Sequence, residues 1–125
     1  MIGALITRRR VARAFDALNR RDITAFMAVW AEDAAYTYPA DLPVSGTHEG
    51  RAQIETWFRR FLEQFPEMHV DVQHIVARRH FGLGATTVAF VEWTVDVENR
   101  SGFRAHNRGV TVMHIRGGRY VRVRD

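Results

Sequence analysis

Hydrophobic residues recur with two different periods along this sequence of 125 residues, and the change of period falls at Pro66. Before it the spacing is helical. Leu5, Ala12, Phe15 and Leu18 repeat in this way between about Ile2 and Asn19, and Arg8 to Arg10 with Arg13 make the opposite face basic, which predicts an amphipathic helix. Asp22 is placed to cap a second helix, in which Ile23, Phe26, Met27 and Trp30 stand at i, i+3, i+4 and i+7. A third begins near Gly50, carries Ile54, Trp57, Phe58, Phe61, Leu62 and Phe65 on one stripe, and stops at Pro66. Three helices are therefore expected to fill the first half.

Beyond Pro66 the period is two. Met68, Val70, Val72, His74 and Val76 share one strand face, with His69, Asp71, Gln73 and Ile75 on the other. Turn signals at Phe81 to Gly84, Asn99 to Gly102 and Gly117-Gly118 then divide the remaining chain into a meander that ends in RYVRVRD. Helices followed by antiparallel strands predict an α+β domain spanning 1–125, with the helices covering one face of a curved sheet.

Composition narrows the function classes. With 46% hydrophobic and 26% charged residues the chain is of ordinary globular type, and no apolar run approaches the roughly 18 residues of a membrane helix, so no membrane partner is expected. The apolar residues of MIGALITRRR precede the arginines, the reverse of a secretory signal. Together with the absence of cysteine, which excludes disulfides and thiolate metal sites, this order agrees with a cytoplasmic location. All 18 basic residues are arginine, and they are scattered outside Arg8 to Arg10 and the last strand, so the net charge of +4 is a poor argument for nucleic acid. Strand parity puts His69 and His74 on opposite faces, and His106 and His114 stand far apart, so no metal is expected. No glycine-rich loop leads from a strand into a helix, so no nucleotide cofactor is expected either.

The candidate chemistry lies in a few polar residues on apolar rows. In DAAYTYPADLP, Tyr36 and Tyr38 share one parity, so both rings can face the interior, either sealing the core or aiming hydroxyls at a ligand. Asp41 follows in a loop, as a stray acid or a turn residue. Asp125 continues the row of Val121 and Val123, where desolvation of a carboxylate would raise its pKa. His74 stands on the row expected to meet the helices. Asp96 lies with Glu92, Thr94 and Glu98 on the face opposite Trp93, Val95 and Val97, which is solvated unless a bulge exchanges the faces. Trp30, Trp57 and Phe61 belong to helix stripes and secondly to a pocket wall.

WAEDAAY at the end of the second helix, HEGRAQIETWFRRF opening the third and GGRYVRVRD on the last strand form an ordered set. The set resembles the nuclear-transport-factor-2-like superfamily, particularly its SnoaL-like branch. That resemblance implies a cone-shaped barrel, with three N-terminal helices packed into the concave face of a strongly curved, mostly antiparallel sheet, a pocket inside the cone and a homodimer formed through the outer sheet face. It also brings several chemistries, since the branch includes ketosteroid isomerases, limonene epoxide hydrolases, scytalone dehydratases and non-catalytic binding modules. The isomerase base falls on Tyr38, and its oxyanion donors fall on Ala14 and Thr111, so that pattern is absent. The hydrolase pattern puts its water-holding pair on Tyr36 and Tyr38 and its acid, arginine and acid on Asp96, Thr94 and Asp125, so the arginine is missing. The dehydratase pattern places a substrate-polarising tyrosine on Tyr38, a histidine on His74, its helix-end aspartate on Asn19 and its second histidine near Asp96.

The expectation is a cofactor-independent pocket enzyme for a small apolar oxygenated molecule, working by dehydration, isomerisation, cyclisation or water addition. His74 and Asp125 are the expected acid and base, with Tyr38 polarising substrate oxygen and Asp96 as a further acid, while Tyr36, Trp57, Asn19, Phe61 and Trp30 line the substrate. The rival is a non-catalytic binding or dimeric interaction module of the same fold.

Overall fold

The computed structural model describes residues 2–39, 45–80 and 86–125, with the side chain of His80 excepted. Asp41 and the turn from Phe81 to Gly84 lie outside the described residues. Helix α1 (Ile2–Asn19) buries Val11, Ala14, Phe15, Ala17 and Leu18, and α2 (Ile23–Met27) is capped by Asp22, whose side chain accepts from the Ala25 N–H at 3.1 Å. The expected helix through Trp30 ends three residues early. Trp30 instead opens β1 (Trp30–Tyr38), so WAEDAAY is strand, and a short β2 (Gly46–Glu49) not foreseen in the sequence pairs with it before α3 (Arg51–Gln64) begins. The apolar stripe that continues through Trp30 is real, but the residue serves a core shared by helix and sheet, which periodicity alone does not distinguish.

Four strands complete the chain: β3 (Glu67–His80), β4 (Thr86–Glu98), β5 (Arg104–Arg116) and β6 (Arg119–Arg124). The sheet runs in the order β2-β1-β6-β5-β4-β3, antiparallel throughout except for the parallel pair β1 and β6. The helices cover its inner face, with α1 along β3 and α3 against β1. Among the described residues no helix is long and apolar enough to cross a membrane.

A bulge in β3 corrects the parity of that strand. Val72 stands opposite Trp93 and His74 opposite Glu92, so Gln73 is extra and the two faces exchange. Met68, Val70 and Val72 before the bulge and Ile75 and Ala77 after it pack on the core. His74 and Val76 therefore face outward, and His69 and His74 share the outer face rather than opposing one another.

Two polar side chains tie the helices to their neighbours. Arg21, in the left-handed region at φ 59°, donates to the carbonyls of Leu62 (3.2 Å), Phe65 (2.7 Å) and Pro66 (2.5 Å), capping the open C-terminal end of α3. Asn19, expected to touch substrate, instead donates its Nδ2 to the Val70 carbonyl and accepts the Val70 N–H on Oδ1, both at 2.7 Å. Its amide pairs with the edge of β3 as another strand would, and it does not line the cavity. Replacing it leaves both Val70 groups unpaired, so Asn19→Ala is expected to lower stability by about 1–3 kcal/mol in urea denaturation. A change within measurement error would show that water replaces the amide at no cost.

Candidate active site

The site forms where the chain's first strand and its last residues meet. Parallel pairing sets Tyr36 beside Val123 and Thr37 beside Arg124, and the Asp125 N–H continues the ladder by donating to the Thr37 carbonyl at 3.1 Å. On the other side of β6, Val112 faces Arg124, which brings Thr111 next to Asp125. The carboxylate is consequently held at both oxygens: Tyr36 Oη donates to Oδ2 and Thr111 Oγ1 to Oδ1, each at 2.5 Å. Trp93 Nε1 in turn donates to Thr111 Oγ1 at 2.8 Å.

This order of donors fixes where a proton can sit. An indole N–H only donates, so Thr111 must accept from Trp93 and give its single hydroxyl proton to Asp125 Oδ1. Oδ1 is then an obligate acceptor. A titrating proton on Asp125 therefore belongs on Oδ2, shared with Tyr36, whose hydroxyl becomes free to donate elsewhere when Oδ2 is protonated. Burial raises the Asp125 carboxyl above the usual range, opposed by the hydrogen bonds from Thr111 and Tyr36. The Tyr36 phenol is pushed well up, first by burial and then by the Asp125 charge and hydrogen bond, and Tyr38 is raised by burial and by the same charge. Asp125 and Tyr36 thus form one proton-sharing unit inside the protein.

A glycine makes room for the relay. Gly109 stands opposite Trp93 across β4 and β5, and a Cβ there would lie 2.7 and 2.8 Å from two ring carbons of the indole. Only a residue without a side chain lets the ring lie against the β5 backbone and point Nε1 at Thr111.

The unit faces a cavity of about 380 Å³ between the helices and the sheet. Ten aromatic rings line it, from α1, α2, α3, β1 and β4 together with Phe65, with Met68, Val70, Val95, Val97, Met113 and Val123 between them. Trp57 is the hub of the wall on α3: its ring stacks on Phe61 (centroids 5.0 Å, planes at 13°) and meets Tyr36 at 5.0 Å and Tyr38 at 5.1 Å. Trp57, Phe61 and Gln64 also border an open groove over α3, which places them where the cavity reaches the surface.

The expected site residues divide accordingly. Asp125, Tyr38, Tyr36, Trp57, Phe61 and Trp30 all line this cavity, Trp30 being buried at its back between Phe26, Phe58 and Tyr120. His74 does not. The β3 bulge turns it to the outer face, where its side chain is 75% exposed and Nδ1 lies 3.5 Å from Glu92, so it forms no pair with Asp125. Asp96 is also outside, 72% exposed and bonded to His106 Nδ1 at 2.6 Å, as its strand parity alone suggests. Sequence reasoning left out Thr111, Trp93 and Gly109. Thr111 was detectable by the signal that marked Asp125, a polar residue on an inward row between Gly109 and Met113, and it is 4% exposed.

The chain belongs to the SnoaL-like domain family, whose profile matches residues 11–123. The cone-shaped α+β fold is shared with an NTF2-like protein of unknown function from Burkholderia pseudomallei K96243, at a TM-score of 0.77 and 22% identity over 95% of this chain and 88% of that one. TerC, crystallised with polyporic acid, matches at a TM-score of 0.74 with 19% identity, over 95% and 88% of the two chains. Rv0760c of Mycobacterium tuberculosis, in complex with estradiol-17β-hemisuccinate, matches at 0.74 with 14% identity, over 97% and 90%. No curated protein matches the sequence.

Gly109→Ala is expected to displace the Trp93 indole, break its bond to Thr111 and cost about 1–3 kcal/mol through overpacking. Near-ultraviolet circular dichroism and urea titration together would detect it. Unaltered aromatic signal and stability would mean that the ring reaches Thr111 by another packing.

Proposed function

We propose that this protein is a cofactor-independent enzyme that binds a small, largely apolar oxygenated molecule in the cone and moves a proton with Asp125 and Tyr36. The observation that carries the reading is the Tyr36–Asp125–Thr111 cluster, in which two buried hydroxyls hold a half-buried carboxylate at the wall of an otherwise apolar cavity. The small molecules bound by TerC and Rv0760c support a ligand-holding role for the same fold. Dehydration, isomerisation, cyclisation and water addition all need a group that gives a proton and takes one back. Asp125 does this through Oδ2, Tyr36 passes or replaces the proton, and Tyr38, half-buried at the same wall, orients the substrate oxygen. His74 and Asp96 take no part.

A homodimer through the outer sheet face is part of the proposal. The bulge leaves Val76 (61% exposed) beside Phe90 (45%), and Val110 (47%) on β5 stands opposite Glu92, an apolar patch next to the His74–Glu92 pair. Sedimentation equilibrium of Val110→Glu against wild type tests it, and a wild-type monomer would remove it.

Turnover of a bound compound is expected to fall about 100-fold or more in Asp125→Asn and Tyr36→Phe, with dissociation constants changed far less, while His74→Ala and Asp96→Asn keep wild-type rates. Binding without turnover of any bound compound would favour a non-catalytic ligand-binding module.

Stability carries its own signature. Because the Asp125 carboxyl is raised above its ordinary 3.8, the native state keeps a proton that the unfolded chain has already lost. Its contribution is fully present below the unfolded value and is lost as pH rises through the native one. Relative to wild type, Asp125→Asn should therefore gain stability as pH is raised from about 4 to 7 in thermal unfolding. A difference independent of pH would mean that the carboxyl titrates alike in both states.

A further inference from the structure

The charges around the cavity are one-sided. Among the described residues that line it, Asp125 is the only acid and there is no arginine or histidine, although the chain has 18 arginines. The remaining polar lining groups are neutral, and the rest is largely aromatic. Aromatic faces are negative at their centres and attract cations, increasingly so when both partners are out of water. The two hydroxyls nearest the carboxylate, Tyr36 and Thr111, both donate to it, so neither offers a proton to a ligand anion while Asp125 is ionised.

We infer that the cavity is built for positive charge at the reacting end of its ligand, so that compounds carrying an alkylated ammonium group there bind in preference to uncharged molecules of the same shape. The inference rests on the reading of this cavity as the reaction site, and it narrows the chemistry. In an acid-assisted opening of a C–O bond, the Oδ2 proton passes to the substrate oxygen, the bonding pair leaves with that oxygen, and the carbon becomes electron-poor. The carboxylate left behind and the surrounding rings then face the charge they suit. A reaction through an enolate would place negative charge where the wall supplies only neutral donors, among them Tyr38, Asn107 and, once Oδ2 holds a proton, Tyr36, and no cation. Protonated and quaternary amines are on this view mimics of the electron-poor carbon, and inhibitors.

The test uses benzyltrimethylammonium and its uncharged carbon isostere neopentylbenzene, compared by calorimetric titration and thermal shift with wild type, Asp125→Asn and Tyr36→Phe. Water favours transfer of the neutral compound into an apolar cavity, so a preference for the cation can come only from the charges there. Wild type is expected to bind the cation at least 10-fold more tightly, Tyr36→Phe to keep that order and Asp125→Asn to reverse it. Should Asp125→Asn fail to fold, titration of wild type at a series of falling pH values serves instead, with the preference for the cation expected to shrink as the Asp125 carboxyl takes up its proton. Equal or tighter binding of neopentylbenzene to wild type would overturn the inference and leave the ligand-binding reading standing. Cation preference retained in Asp125→Asn, or unchanged in wild type as pH falls, would overturn it as well. No binding of either compound would overturn both readings.

Discussion

The parallel pairing of β1 with β6 is the constraint on which the molecule turns. It joins two pieces of chain that are far apart in sequence, the β1–β2 pair among the helices and the four-stranded meander of the second half, into one sheet. Without it the helices would have no concave surface to fill and the cavity no closing wall. The same ladder carries Asp125 past the last paired residue of β6 and holds it by its own N–H, so the residue bearing the cavity carboxylate is fixed by backbone geometry before any side chain contributes. Tyr36 and Thr111 then need only be the right residues on the strands to either side.

A carboxylate in such a place is costly. Burial disfavours its charge, and each hydrogen bond from a hydroxyl recovers part of that loss. The supporting groups are themselves supported: Trp93 orients Thr111, and the bare backbone of Gly109 admits Trp93. Four residues on three strands thus determine which oxygen of one side chain can carry a proton. The protonation pattern of the carboxylate depends on packing as much as on the acid itself, because a displaced indole would release Thr111 to turn its proton elsewhere.

Much of this was legible in the sequence, for reasons that differ residue by residue. Period-two alternation from Val123 put Asp125 on the inward row, although β6 bulges at Val121 so that Tyr120 is buried as well, and the same rule put Tyr36 and Tyr38 together. The helical stripes of α1 and α3 were readable because each is long and one-sided. Alternation failed for His74 because it assumes an unbroken register, and the bulge at Gln73 has no marker such as glycine or proline. Trp30 was misassigned because a residue at the junction of helix and strand satisfies either period. Family correspondence suggested His74 and Asp96 as acids, yet for Asp96 simple parity was the better guide, since it placed the residue outside. Gly109 and Trp93 escaped notice because their importance lies in a contact across strands, which one strand's pattern does not express.

The amide of Asn19 has a bearing on how this chain behaves in a crowded solution. A sheet ends in two rows of unsatisfied backbone groups, and such rows recruit strands from other molecules. On the β3 side the Asn19 amide occupies the Val70 N–H and carbonyl, while on the other side the sheet stops at a strand of four residues. One border is interrupted at Val70 by a side chain and the other is too brief to template a long partner. Strand addition that would extend the sheet without limit is thereby discouraged at both borders.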